Sequence, residues 1–170
     1  VYYLGGFLET NVGVNPVTVG TIMVIVLWMR PVGGVIGGFL ADKIGKTTTI
    51  MGALTGAGAC LAIIALLPVT LGSTIFYALI ILLAVFLYAI RGTYWCLLGE
   101  SKIDNAIMGT AIGVISFIGY LPDIILPAYN SFLFNTFGGN GGYNAYFISS
   151  AVLGAAGVVL VLIYAKMSRE

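Results

Sequence analysis

The chain contains no histidine, and its two cysteines, Cys60 and Cys96, lie far apart inside apolar runs. That removes the usual zinc and transition-metal ligand sets, so neither a metal site nor a cofactor is expected. The two thiols read as small apolar packers. Charge is scarce as well. Of 170 residues, 8% are charged and 60% hydrophobic, whereas soluble domains carry about 25% charged residues. Such a chain cannot cover a water-facing surface, and its expected solvent is lipid. A net charge of +1 offers no basic field to a nucleic acid. With no histidine and no Ser/His/Asp set, an integral membrane enzyme is the weaker of the function classes open to it. The chain opens at Val1 without the basic stretch and cleavage site of a signal peptide. It is expected to be a fragment, the back half of a longer protein.

What is abundant is glycine, 24 residues, set within long apolar runs. A helix that crosses the hydrocarbon core needs ~20 apolar residues. The first run, Val1 to about Thr10, is too short and reads as the tail of a truncated helix; a turn at Asn11–Pro16 follows. Five runs are long enough: about Val17–Leu40, Thr47–Leu67, Thr74–Leu98, Ala106 to the glycine-rich stretch Asn135–Gly142, and Tyr143–Ala165. The expected fold is therefore an all-α membrane protein of five full spans plus a truncated first helix, forming a single bundle over residues 1–170. Gly33, Gly34, Gly37 and Gly38 in the second segment, and Gly109 and Gly113 in the fifth, repeat at helical spacing and predict close helix–helix approach. Pro122-Asp123 and Pro127 are expected to interrupt the fifth segment.

Basic residues fall at alternate ends of these spans. Lys43 and Lys46, Lys102, and Lys166 with Arg169 share one side, and the loops on the other side hold no Lys or Arg. By the positive-inside rule that side is cytoplasmic.

The turn between the second and third segments reads Gly37-Gly38-Phe39-Leu40-Ala41-Asp42-Lys43-Ile44-Gly45-Lys46. This pattern resembles the loop signature of the major facilitator superfamily of secondary transporters. Thr47 stands where that family often has a second basic residue. The resemblance implies the C-terminal six-helix half of a twelve-helix transporter whose N-terminal half is absent, located in the plasma (inner) membrane. It also implies alternating access: two halves rock about a midplane site. The third and sixth helices would face lipid, and the others would line the path. The cytoplasmic cluster Gly38, Asp42, Lys43, Gly45, Lys46 and Glu100, with Lys102 and Asp104, would then latch one conformation. The alternative is an ordinary solvated loop, in which each exposed ion pair contributes little.

Charge inside a span costs at least ~2.5–3.5 kcal/mol per group and is usually functional. Arg30 lies twelve residues before Asp42 and Arg91 nine before Glu100, so at ~1.5 Å per residue they stand roughly 18 and 13 Å above the cytoplasmic turns. Both are near the middle of a core ~30 Å thick. Asp123, about 27 Å along its segment, belongs near the outer boundary and too high to pair with Arg91. Two readings stay open for the arginines. They pair with carbonyls or with an acid of the missing half, or they bind an anionic solute through their forked donors. Arg30-Pro31-Val32-Gly33-Gly34 also resembles the substrate-arginine segment of nitrate/nitrite porters in the superfamily. Tyr88, Arg91 and Trp95 recur at i, i+3, i+7 with Tyr94 adjacent, either as a cavity wall or as packing and interfacial aromatics. Asp123 is a candidate coupling carboxylate for a proton or ion, or else a solvated residue. The expected function is secondary transport of a small polar, anionic solute; a transporter-like sensor that binds solute without moving it is the alternative.

Overall fold

A computed structural model describes residues 2–100 and 106–167. The side chains of Glu100 and its three predecessors, together with Lys102, Asp104, Arg169 and Glu170, lie outside the described residues. The described chain is helical throughout. A short α1 (Tyr2–Thr10) leads through a turn into α2 (Pro16–Ile44), α3 (Lys46–Leu66) and α4 (Ser73–Glu100). A last helical run, Met108–Met167, breaks at Gly138, where φ is 74° and ψ 177°. The break divides it into α5 (Met108–Gly139) and α6 (Gly141–Lys166). Five helices are thus long and apolar enough to cross a membrane, and α1 is the short sixth.

Local chemistry sets these boundaries. Asn15 caps α2 by accepting a hydrogen bond from the Val17 amide at 2.9 Å. Pro16 stands in the first turn, where its missing N–H costs nothing. Between α2 and α3 the chain reverses on the single residue Gly45, with φ 93° and ψ 145°. A residue with a Cβ is strained there, which is the physical reason for a glycine at this point of the signature.

Two expectations are corrected. Pro122 and Pro127 do not interrupt α5, which runs helical through both. Helix-interior prolines are tolerated in membranes where neighbouring groups re-satisfy the freed carbonyls. The Asn135–Gly142 stretch is also not a loop. It stays helical apart from Gly138, and the Phe134 and Tyr143 rings come within 4.7 Å of each other. In an unbroken helix nine residues would separate them by about 13 Å.

α2 and α4 run parallel and touch closely. An atom added at the Cβ position of Gly33 would lie 2.8 Å from the Val85 carbonyl, and one at Gly37 would lie 2.7 Å from that of Ala89. Gly92 of α4 faces Gly34. The glycine stripe of the second segment therefore meets another helix, as the spacing predicts. Gly109 and Gly113 of α5 face no other described helix, and Asn130 and Leu133 are the only buried positions among the described side chains of α5. α3 packs one face (Ile50, Ala53, Ala57, Cys60, Ile64) inward and leaves Gly52, Thr55, Ala59, Ile63 and Leu66 uncovered. α6 lies antiparallel to α3, with Gly154 near Gly58 and Gly157 near Leu54. Neither α3 nor α6 is enclosed on all sides.

The densest core lies at the end away from Gly45. Phe7 of α1 is buried between Phe76 of α4 and Phe147 of α6, with ring centroids 5.6 and 5.0 Å away. Edge-on aromatic pairs of this kind contribute about 0.5–1.5 kcal/mol beyond area burial.

Candidate functional site

The buried face of α2 follows the register Val19, Ile22, Val26, Gly33, Gly37, Ala41. Arg30 falls in that register, four residues past Val26 and three before Gly33. The long side chain leaves the α2–α4 seam and lies over the ring of Tyr88, with its Cζ 5.5 Å from the ring centroid. Tyr88 is 7% exposed and packs its Cβ against Gly33. The close glycine contact brings Tyr88 to Arg30. A cation–π contact of this kind is worth about 0.5–2 kcal/mol, depending on desolvation. Among the described residues, no carboxylate pairs with Arg30 or Arg91.

Arg91 stands three residues beyond Tyr88, about 4.5 Å further along the axis, and is exposed. Trp95, one turn on, is 36% exposed, and its ring lies 4.7 Å from that of the half-buried Tyr94. The sequence reading put Tyr88, Arg91 and Trp95 on one face. The structure divides them, with Tyr88 turned into the α2 contact while Arg91 and Trp95 stay open. Asp123 is exposed on α5.

The signature residues gather at the opposite end of α2. Asp42 and Lys43 are exposed on its last turn, and Gly38 is partly covered. Lys43 is a cation at a helix C-terminus, where the macrodipole favours it. Lys46 opens α3, an unfavourable end for a cation, but its Nζ reaches across to donate to the Cys96 carbonyl of α4 at 3.3 Å. Thr49 Oγ1 donates to the Gly45 carbonyl at 3.0 Å. The signature turn is thereby tied to the last part of α4. Sequence reading missed this tie because its acceptor is a backbone carbonyl.

It also passed over Asn130. This residue is 1% exposed, and neither its amide nitrogen nor its amide oxygen has a partner among the described residues. The available signal was an asparagine within an apolar span. Among the described residues no group of three or more His, Cys, Asp or Glu side chains could hold a metal.

Comparison with known proteins follows this geometry. Residues 1–110, holding α1 to α4 with their glycine seam, arginines and signature turn, match the MFS_1 like family. A 90-residue stretch is 36% identical to the inner membrane protein YqcE of Escherichia coli (strain K12). That stretch is 52% of this chain but 21% of the relative, so the chain spans well under two thirds of the relative's length. No solved structure matches. With five apolar spans, a one-residue signature turn and a family match over more than half its length, this transporter-type integral membrane protein belongs to the MFS_1 like family.

Proposed function

We propose that the chain is the C-terminal half of a secondary transporter of the inner membrane, moving a small polar, anionic solute by alternating access. The observation that carries the anionic reading is Arg30. It is a guanidinium halfway along a membrane span, placed over Tyr88 at a helix seam, with no carboxylate partner among the described residues. An ion so costly to bury is retained where it has a task, and a guanidinium suits planar or tetrahedral oxyanions. Arg91, Tyr94 and Trp95 extend the solute site along α4. A second six-helix half completes the path and covers the open side of α2, α4 and α5. Asp123 is the candidate for coupling to a proton or ion. The family points to transport rather than catalysis.

The test is thermal stabilisation of the purified full-length protein across a panel of inorganic and organic anions and neutral sugars. A ligand at 100 times its Kd stabilises by about 2.7 kcal/mol. Anions are expected to stabilise and sugars not to; stabilisation by sugars alone would overturn the anionic reading.

The signature end acts as the gate in this reading, on the cytoplasmic side with the C-terminus. Asp42 supplies its charge, Lys43 and the Lys46 tie hold the turn against α4, and Gly38, Gly45 and Glu100 complete it. Asp42→Asn is expected to loosen the closed gate. Lys46→Gln, which shortens the reach to the Cys96 carbonyl, should do the same more weakly. Labelling of single cysteines in the cytoplasmic part of the path measures this, with faster labelling expected in Asp42→Asn. Unchanged rates would remove Asp42 from the gate.

A further inference from the structure

A groove of about 680 Å³ runs along the outer seam of α3 and α6. It extends from Leu54 to Leu66 on α3 and from Ile148 to Val158 on α6. Its floor is formed by small residues, Gly58 and Ala59 on one side and Ala151 and Ala155 on the other. The helices approach closely there: an atom added at the Cβ position of Gly154 would lie 3.9 Å from the Gly58 Cα. The rims are larger residues left uncovered, among them Leu66, Ile148 and Val152. The one hydroxyl in the lining, that of Thr55, is already donated to the Met51 carbonyl at 2.8 Å. The groove therefore presents no unsatisfied polar group.

We propose that this groove holds one phospholipid acyl chain, from the leaflet opposite the signature turn. Three observations choose that occupant. The first is length. Twelve residues of α3 and ten of α6 give about 15–18 Å, close to half of a ~30 Å hydrocarbon core and so to the depth of one leaflet. The second is position. Leu54 lies eight residues from the start of α3 at Lys46, and Val158 eight before Lys166 at the end of α6. The groove thus begins about 12 Å from the signature end and occupies the far part of both spans. The third is shape and charge. A narrow crevice floored by glycine and alanine admits a single extended chain, whereas a helix about 10 Å across would rest on the rims. Both charged ends of these helices, Lys46 and Lys166, are at the signature end, so the lipid is held by its chain and not by the charge of its headgroup.

The experiment uses the full-length protein reconstituted in phosphatidylcholine vesicles containing a trace of phosphatidylcholine with a photoactivatable group midway along one chain. Cross-linked residues are mapped by peptide mass spectrometry. Cross-links are expected to concentrate between Leu54 and Leu66 and between Ile148 and Val158. Filling the floor by Ala155→Leu, at an exposed position where the added atoms enter the groove, should cut them about tenfold, or about 1.4 kcal/mol of preference. Ala59→Leu fills the same crevice from the other helix, so a folding failure of one variant leaves the other to decide. Leu160→Phe, on an uncovered part of α6, should leave the pattern unchanged. Cross-links spread evenly over the uncovered faces of α3 and α6 would mean bulk lipid only. Protein–protein cross-links through the groove would mean a second copy of the chain seated there. Either result overturns the proposal.

Discussion

Replacement of Arg30 by Gln is expected to abolish anion binding while leaving the protein as stable as before, or more so. The two effects separate because they have different origins. A guanidinium in the middle of a span costs at least ~2.5–3.5 kcal/mol, and its contact with the Tyr88 ring returns only about 0.5–2 kcal/mol. Removing the charge therefore relieves the fold. A hydrogen bond from a charged donor to a bound anion contributes about 1.5–3 kcal/mol, which is roughly 10- to 100-fold in affinity. Arg30→Lys keeps the charge but loses the planar fork and its stacking, and should retain weak binding of a planar anion. Arg91→Gln should behave like Arg30→Gln. Titration of an anion monitored by the thermal unfolding midpoint checks both halves of the expectation. A large loss of intrinsic stability in Arg30→Gln, with anion affinity unchanged, would make Arg30 a structural residue.

The second large effect is expected at the seam that positions Arg30. Gly37→Ala should destabilise the protein by about 1–3 kcal/mol, the usual cost of overpacking. The added methyl would meet the Ala89 carbonyl oxygen at 2.7 Å and the Ala89 Cα at 2.8 Å. Both are backbone atoms and cannot rotate aside, so α2 and α4 must separate. Gly33→Ala, against Tyr88 Cβ and the Val85 carbonyl at 2.8 Å, should act likewise and also shift Tyr88 away from Arg30. Gly38 is the control, because an atom added there has nothing within 4 Å. Gly38→Ala should be neutral or stabilising, since alanine is favoured over glycine inside a helix by about 0.8–1.0 kcal/mol. Thermal unfolding of the three variants in one detergent gives the comparison. Equal midpoints for Gly37→Ala and Gly38→Ala would contradict the close α2–α4 contact.

Much of this was legible in the sequence because it is carried by local pattern. The spans follow from unbroken apolar length, the turn at Gly45 from glycine between Lys43 and Lys46, and the α2 seam from glycines at helical spacing. Arg30 and Arg91 stand out because charge within a span is rare. What was hidden depends on contacts between distant segments or on backbone groups. The sequence carries no mark of the Arg30–Tyr88 contact, which needs the parallel pairing of α2 and α4, nor of the Lys46 bond to the Cys96 carbonyl. Pro122 and Pro127 were misleading, since proline breaks helices in water more readily than in a membrane. The true break rests on the backbone angles of one glycine among several, Gly138. Gly109 and Gly113 have the spacing of a helix contact, yet no described helix reaches them.

The most direct test of transport is counterflow in vesicles reconstituted with the full-length protein. Vesicles are loaded with an unlabelled anion that stabilises the protein and diluted into a trace of the same anion carrying a label. Alternating access predicts transient accumulation of label above its equilibrium level, absent in Arg30→Gln vesicles. Saturable binding of the anion with no accumulation would contradict transport and leave a solute sensor.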